Sequence, residues 1–252
     1  MTPRAAAIEL SRPSDPGGTA AGVARVAWKN GYAALQLKQT QYAPLLSDLD
    51  GLRQHLGDIR VSSLIWLGDA VESRDELLEV AAAGASLGAV RVVVCDTAER
   101  SRPMAVARRA VALDRVAGEL ADAGAALSLH HHSGHPVESV ADIRDLIAAA
   151  PRVRVTIDTG HLGRTGGEPM QGVLTELGAR VDNVHLKDLD ADGAFRLVGE
   201  GMLPLREVVA EYLSLDAEPT MCIDEESWAP LSSGLARSMA VLRDWGFPAA
   251  SD

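Results

Sequence analysis

The chain has 252 residues, of which 47% are apolar and 4% are aromatic, so a large core built mainly from aliphatic side chains is possible. Its formal net charge of −11 argues against a nucleic-acid partner, because proteins that bind phosphate backbones usually carry a basic surface. We therefore expect a small-molecule ligand and no nucleic acid.

The two cysteines and the distribution of apolar residues indicate the compartment. Cys95 and Cys222 fall in apolar strands and have neither metal-type nor disulfide-type spacing, so both are expected to be buried thiols. The N-terminal segment lacks the apolar stretch of a signal peptide, and no apolar run approaches the roughly 20 residues of a membrane span. We expect a cytoplasmic protein with no membrane partner.

Short β-branched runs alternate with helix-length amphipathic segments along the first half of the chain. On the second expected strand, Gln36 and Lys38 alternate with Leu35 and Leu37, which gives that strand a polar and an apolar face. The strands are expected at Ala6–Leu10, Ala33–Lys38, Arg60–Trp66 and Val90–Cys95. The helices that follow them are expected near Gly18–Asn30, Ala43–Leu56, Arg74–Leu87 and Met104–Ala123.

The second half repeats this rhythm. Its strands are expected at Ala126–His130, Val153–Asp158, Val181–Lys187 and Thr220–Asp224. Its helices are expected near Ser139–Ala149, Pro169–Leu177, Pro204–Leu213 and Leu231–Trp245. Eight strand–helix pairs without a break in composition predict an α/β protein, a single (β/α)₈ TIM barrel domain over residues 1–252. A doubly wound open sheet is the alternative, but no Gly-rich phosphate loop follows the first strand.

Polar side chains end two consecutive strands of this predicted barrel. Alternation along Val153–Asp158 places Asp158 opposite the apolar residues, and alternation along Val181–Lys187 does the same for His185 and Lys187. The inner face and the C-terminal ends of barrel strands meet in one cavity, so these side chains are expected to form a site. For Asp158 or His185 taken alone, capping of the following loop is the alternative.

Histidines are concentrated in the same region. Imidazole and carboxylate groups together suit Mn²⁺, Co²⁺, Fe²⁺ or Zn²⁺. A histidine run can be a tag or a metal-scavenging tract, but this run ends a predicted strand and does not lie at a terminus. Six of the seven histidines lie between residues 130 and 185: His130, His131, His132, His135, His161 and His185.

Two further places offer carboxylates. The last strand, Thr220–Asp224, is followed by two glutamates, and either Asp224 or Glu226 could project into the cavity, with a solvated acidic loop as the alternative. Glu138 starts a helix, so it either belongs to the site or stabilises the positive end of that helix dipole.

Five segments in this order carry a resemblance to a known family. They read Leu-His-His-His-Ser-Gly-His-Pro-Val-Glu (129–138), Ile-Asp-Thr-Gly-His-Leu (157–162), Val-His-Leu-Lys-Asp (184–188), Gly-Glu-Gly (199–201) and Ile-Asp-Glu-Glu (223–226). Together they resemble the xylose isomerase-like TIM-barrel superfamily, which holds sugar isomerases and epimerases, inosose dehydratases and endonuclease IV. The nearest resemblance is to the inosose dehydratase and sugar-phosphate isomerase/epimerase branch. It covers the C-terminal half, while the first half matches only in its strand–helix order.

The resemblance implies a divalent metal held by side chains from strands five to eight. Asp158 and His185 match the Asp and His ligands of the family. Glu226, or else Asp224, would match the glutamate on strand eight.

The chain departs from the family pattern on strand five. Many members carry there a glutamate that acts as ligand and base, whereas this chain has His130, so either His130 replaces it or Glu138 reaches in from the loop. His161 matches the substrate-binding histidine of the family, and Lys187 matches the lysine of its His-Leu-Lys-Asp segment. The imidazoles of His130, His132 and His161 could move protons near neutral pH. Lys187 could polarise a substrate oxygen or bind a carboxylate or phosphate, with a strand-end lysine that reaches solvent as the alternative. His132, His161 and Lys187 are the predicted catalytic residues.

The resemblance therefore implies a divalent-metal-dependent isomerase, epimerase or dehydratase. Its substrate would be a small polyhydroxylated sugar, keto-sugar or keto-inositol, and the reaction would pass through an enediolate. One alternative is an endonuclease IV-like phosphodiesterase on abasic DNA, which the negative charge and the lack of histidine on the first four strands disfavour. Another is a barrel that binds sugar without turning it over. The resemblance also implies a homo-oligomer.

Overall fold

Eight parallel strands form a closed barrel in the computed structural model, which describes residues 8–98, 105–166, 169–216 and 219–248. The strands of the chain are β1 (Ile8–Ser11), β2 (Ala34–Lys38), β3 (Arg60–Gly68), β4 (Arg91–Asp96), β5 (Ala126–His130), β6 (Arg154–Asp158), β7 (Val181–Leu186), β8 (Asp188–Leu189), β9 (Phe195–Arg196) and β10 (Thr220–Asp224). The order around the barrel is β1-β10-β7-β6-β5-β4-β3-β2, so the (β/α)₈ prediction is confirmed. Ala6 and Ala7 of the first expected strand and Met104 of the fourth expected helix lie outside the described residues.

Helices follow the barrel strands and cover them. Strands β8 and β9 form a separate two-stranded antiparallel sheet in the loop after β7. No helix within the described ranges has both the length and the apolar character that crossing a bilayer requires. The helices are α1 (Ala20–Lys29), α2 (Gln39–Tyr42), α3 (Leu49–Leu56), α4 (Arg74–Leu87), α5 (Ala105–Asp122), α6 (Val140–Ala149), α7 (Thr159–Thr165), α8 (Val173–Leu177), α9 (Leu205–Ser214) and α10 (Leu231–Asp244).

The predicted helix over Ala43–Leu56 is wrong as a single element. The chain forms the 3₁₀ turn Ala43–Leu45, which contains a proline near its start, and then begins α3 four residues later. Proline has no backbone N–H, so a continuous α-helix through this segment would lack one of its hydrogen bonds. Asp48 starts the new helix, because its side chain accepts the backbone N–H of Gly51 at 2.9 Å.

The outward faces of the strands build the core. Leu127, Leu129, Val155 and Ile157 are each 1% exposed and belong to the apolar cluster between barrel and helices. Fully burying a side chain of this size stabilises the fold by roughly 1.5–3 kcal/mol. Covered on both faces, these strands hold their positions firmly, which matters for the side chains at their ends.

Strand register brings the functional candidates level with one another. Asp158 at the end of β6 pairs with His185 on β7, and His185 pairs in turn with Cys222 on β10. Since all eight strands are parallel, their C-terminal ends lie at the same rim of the barrel. The candidate residues on β5, β6, β7 and β10 are therefore neighbours.

Candidate metal centre

Four buried side chains converge at the C-terminal end of the barrel. His130, Asp158, His185 and Asp224 come from β5, β6, β7 and β10, and each offers one ligand atom, with all four atoms within 4.8 Å of one another. The four residues span 95 positions of the chain, but their strands are consecutive in the barrel order, and the curvature of the barrel brings the side chains together. The meeting of Asp158 and His185 that strand alternation predicts is present.

The two oxygens of Asp158 have different partners. Oδ1 accepts the backbone N–H of His161 at 3.0 Å and so caps α7. Oδ2 lies 3.1 Å from Nε2 of His130 and 3.7 Å from Nδ1 of His185. The sequence allowed Asp158 either to cap the following segment or to belong to a site. In the structure this carboxylate caps α7 and also faces the other three side chains of the group.

A nitrogen of His185 identifies the group as suitable for a cation. Its Nε2 is hydrogen-bonded to Oε1 of Gln36 at 2.9 Å, whereas its buried Nδ1 has no hydrogen-bond partner among the described residues. That Nδ1 lies 3.4 Å from Oδ2 of Asp224 and faces Asp158 as well. Two imidazoles and two carboxylates form a donor set that Mn²⁺, Co²⁺, Fe²⁺ and Zn²⁺ accept. The residues present fit a divalent metal.

Both carboxylates of the group are ionised. Burial alone would raise the pKa of Asp158, but Lys187, His161 and His130 outweigh it and hold the pKa well below its usual range. Burial likewise opposes ionisation of Asp224, and Lys187 with another nearby lysine holds its pKa well below the usual range. A cation therefore meets two negative charges without having to displace protons.

Three histidines at the group, His130, His132 and His161, are neutral near pH 7. Burial lowers the pKa of His130 to about 3 and that of His161 to about 2, and it also lowers the pKa of His132. A neutral imidazole has one nitrogen lone pair, so it can bind a metal or accept a proton.

Two lysines pair with the acidic side chains of β10 and of the loop that follows it. Nζ of Lys38 lies 2.7 Å from Oδ1 of Asp224 and 2.8 Å from Oε1 of Glu226. Nζ of Lys187 lies 2.9 Å from Oδ2 of Asp224 and 3.0 Å from Oε2 of Glu226. Glu226 thus lies beside the four-residue group and contacts it through lysines, while Asp224 is one of its members.

Lysine is rare in this protein, which makes these two positions notable. The chain contains three lysines, Lys29, Lys38 and Lys187, against 21 arginines. Lysine presents a compact point charge, whereas arginine presents a broad planar fork. Lys38 has no role in the sequence interpretation, although its rarity and its place on the polar face of β2 were signals that could have drawn attention to it.

The predicted catalytic residues line a cavity above the group. This cavity has a volume of about 300 Å³, and the rings of His132 and His161 are in contact in it, with centroids 3.8 Å apart and planes inclined by 38°. Its wall includes His132, His161, Lys38, Lys187, His130, His185, Asp224 and Glu226. The structure therefore places the three predicted catalytic residues, His132, His161 and Lys187, beside the candidate ligands.

Glu138 lies away from the four-residue group. Its Oε2 accepts the backbone N–H of Gly134 at 2.7 Å, within its own loop. The N-cap of α6 is Ser139, which exchanges hydrogen bonds with Asp142. The ligand roles assigned to Glu138 and Glu226 stay predictions, and the geometry favours His130 and Asp224 on their strands.

Comparison with known proteins places the chain in a family. A family model described as xylose isomerase-like TIM barrel matches residues 25–245. The inosose dehydratase of Clostridium beijerinckii is 37% identical over 112 residues, which cover 43% of this chain and 37% of that enzyme. The chain spans less than half the length of the curated relatives that it matches.

Solved structures share the architecture. The 3-keto-D-glucoside 4-epimerase YcjR of E. coli has a TM-score of 0.76 at 14% identity, covering 94% of this chain and 99% of that one. The IOLI protein, solved with a bound zinc atom, has a TM-score of 0.74 at 13% identity, covering 97% and 98%. These likenesses establish the fold. With the family model matching most of its length, this chain belongs to the xylose isomerase-like TIM barrel family.

Proposed function

We propose that the chain is a divalent-metal-dependent enzyme that isomerises, epimerises or dehydrates a small polyhydroxylated keto-compound. The observation that carries the proposal is the buried group of His130, Asp158, His185 and Asp224 at the floor of a cavity whose wall includes further histidine and lysine side chains. Relatives named inosose dehydratase and a structural neighbour named 3-keto-D-glucoside 4-epimerase support this substrate class.

These four residues would hold the metal. When bound, the ion supplies positive charge that stabilises negative charge developing on a substrate oxygen. Without the metal, the site carries a formal net charge of −1. Two lysine ammonium groups oppose the three carboxylates of Asp158, Asp224 and Glu226.

His132 is the residue best placed to accept a proton from the substrate carbon next to the carbonyl. Its Nδ1–H donates to the backbone oxygen of Ser133 at 2.8 Å, which leaves the lone pair on Nε2. Burial keeps the pKa of His132 below its usual value, so the ring is neutral and ready to accept the proton at neutral pH. Returning the proton at another carbon gives isomerisation, and loss of a β-hydroxyl gives dehydration.

Lys187 is placed to stabilise a substrate oxygen. Its ammonium lies at the cavity wall, 4.9 Å from the ring centre of Phe195 and within hydrogen-bond distance of Asp224. Burial opposes its charge, but Asp158, Asp224 and Glu226 raise its pKa well above the usual value. Lys187 therefore stays protonated and acts as a hydrogen-bond donor.

Proton exchange with solvent tests the proposal before the product is known. Keto-inositols and ketoses are incubated in D₂O with the protein and Mn²⁺, Co²⁺, Fe²⁺ or Zn²⁺, and deuterium incorporation next to the carbonyl is followed by NMR. We expect incorporation that requires metal and is lost in His185→Ala and His132→Gln, but is kept in the exposed control His55→Gln. Metal binding without exchange for any compound of the panel would instead indicate a sugar-binding barrel. Cleavage of a labelled abasic duplex would indicate a phosphodiesterase.

A further inference from the structure

A buried hydrogen-bond network connects the candidate metal centre to the barrel interior. Gln36 on β2 lies at its middle: its amide nitrogen donates to Oε2 of Glu9 at 2.9 Å and to Oδ1 of Asn183 at 2.9 Å. Its amide oxygen accepts from Nδ2 of Asn183 at 3.1 Å and from Nε2 of His185 at 2.9 Å. Ser62 gives a second hydrogen bond to the same oxygen of Glu9.

The network is directional because of Glu9. A carboxylate only accepts hydrogen bonds, so the group that faces Glu9 must be the NH₂ of Gln36. The amide oxygen of Gln36 then faces His185, and a carbonyl oxygen only accepts, so the neutral form of this ring carries its proton on Nε2. Glu9, Gln36 and His185 are 5%, 1% and 1% exposed, so solvent does not offer these groups other partners.

The position of this proton determines which nitrogen of His185 can bind a cation. With the proton on Nε2, the lone pair is on Nδ1, the atom that faces Asp158 and Asp224. The opposite amide orientation would point the NH₂ of Gln36 at Nε2 and move the proton to Nδ1, where it would block coordination. Hydrogen bonds that orient a metal-binding histidine in this way commonly change metal affinity by about 10–100-fold when they are removed.

We propose that Glu9, acting through Gln36, sets the tautomer of His185 and so prepares the centre for a divalent ion. Both are positioning residues, since they contact neither the cavity nor the other candidate ligands. They come from β1 and β2, the half of the barrel in which the sequence shows no site motif. The effect on metal binding rests on the proposed metal centre, whereas the tautomer of His185 can be measured in the metal-free protein.

A reciprocal exchange of the two side chains tests this inference. Glu9→Gln replaces the carboxylate with an amide that can present either an acceptor or a donor to Gln36, so the direction of the network is lost. In the double variant Glu9→Gln/Gln36→Glu, the amide at position 9 donates to a carboxylate at position 36, which again only accepts from His185. The double variant therefore restores the direction that the single variant removes. Gln54→Glu on the exposed side of α3 is the matched control.

Two measurements are made on each protein. The first is ¹⁵N NMR of labelled histidine in metal-free protein at alkaline pH, where neutral rings show which nitrogen carries the proton. We expect Nε2–H for His185 in the wild type and the double variant, and a mixture of tautomers in Glu9→Gln. The second is Zn²⁺ affinity from competition with a chromophoric chelator, where Glu9→Gln should weaken binding by about 10–100-fold and the double variant should recover most of it.

The outcomes separate this inference from the proposed function. A folded Glu9→Gln that keeps the Nε2–H tautomer and the wild-type Zn²⁺ affinity would overturn the inference. If Glu9→Gln fails to fold, Gln36→Met removes the acceptor instead, and an unchanged tautomer in that variant would overturn it equally. If the wild type binds no metal, the proposed function fails, while the tautomer measurement still decides whether Glu9 directs His185.

Discussion

Asp158 accepts the backbone N–H of His161 through Oδ1 at 3.0 Å, while its Oδ2 lies 3.1 Å from Nε2 of His130. The helix that follows β6 thus begins on the same carboxylate that contributes to the candidate metal centre. The cap fixes the orientation of the carboxylate, and the fold thereby presents one oxygen to the cavity floor. Asp158 therefore both caps α7 and contributes an oxygen to the candidate metal centre.

Replacing this charge without removing the cap should strongly weaken metal binding in a folded protein. In Asp158→Asn, the amide oxygen can still accept the N–H of His161, but the negative charge is lost. We expect Zn²⁺ affinity to fall by at least about 100-fold, as for loss of a ligand, with the far-UV circular dichroism spectrum unchanged. Chelator competition measures the affinity.

The control for this variant is another capping aspartate. Asp48 caps α3 by accepting the N–H of Gly51 and lies outside the four-residue group, so Asp48→Asn should keep the wild-type affinity. Equal Zn²⁺ affinities of Asp158→Asn and wild type would show that the four-residue group is not the metal site.

Removing Lys38 should tighten metal binding. Its ammonium lies 2.7 Å from Asp224 and 2.8 Å from Glu226, so it competes with an incoming cation for the same carboxylates. In Lys38→Met we expect Zn²⁺ to bind about tenfold more tightly, equivalent to about 1.4 kcal/mol. The metal-free variant should be less stable than the wild type, because its buried carboxylates have lost a counter-charge.

Thermal unfolding with and without Zn²⁺ measures both effects in Lys38→Met. The increase in melting temperature on metal addition should exceed that of the wild type. Lys29→Met, at an exposed position of α1, is the matched control and should behave like the wild type. Weaker Zn²⁺ binding in Lys38→Met would mean that the ammonium supports the metal and does not compete with it.

Strand periodicity was sufficient to predict the barrel and the meeting of Asp158 with His185, because alternation determines which face each side chain occupies. It could not choose between Asp224 and Glu226, since both have the same parity after Thr220. The strand ends at Asp224, and beyond it Glu226 turns to the two lysines, of which Lys38 lies 2.8 Å away. Beyond the end of a strand, alternation along the sequence no longer determines which way a side chain points.

The role of Gln36 could not be predicted for a different reason. It is 149 positions from His185, and the two strands are not neighbours in the barrel. Contacts across a barrel interior depend on closure and strand tilt, which periodicity along one strand does not contain. The polar face of β2 was visible in the sequence, but its partner was not.

The loop after β7 should depend on a glycine at position 201. Asp188 accepts the backbone N–H groups of Gly199 and Gly201, each at 3.0 Å, and that of Leu203 at 3.1 Å. A Cβ at position 201 would overlap the Asp188 carboxylate and the backbone oxygen of Leu189. Gly201→Ala should therefore lower the free energy of unfolding by about 2–4 kcal/mol, measured by urea denaturation.

A helical glycine gives the control for Gly201→Ala. A Cβ at Gly118 in α5 would lie 3.5 Å from the side chain of Arg152, which is an ordinary contact. Gly118→Ala should keep or raise the stability, by up to about 1 kcal/mol, because alanine is the better helix former. Equal stabilities of the two variants would show that Asp188 does not require the close backbone approach.

Acid should destabilise the metal-free protein through its buried histidines, and His131 allows a clear test. Burial lowers the pKa of His131 to about 4, against about 6.5 for an unfolded histidine. Between these values the unfolded chain binds a proton that the folded chain does not, so stability is lost as pH falls below about 6.5. Integrated from pH 7.5 to pH 5, this group contributes a loss of about 2 kcal/mol.

His131→Gln isolates that contribution. Nε2 of His131 accepts the backbone N–H of Asp158 at 2.9 Å, and a glutamine oxygen can accept the same hydrogen bond without titrating. In urea denaturation with EDTA present, the variant should lose about 2 kcal/mol less than the wild type between pH 7.5 and pH 5. His55→Gln, which removes an exposed imidazole from α3, is the control variant. Parallel stability curves for wild type and His131→Gln would mean that the buried ring takes up its proton as readily in the folded protein as in the unfolded chain.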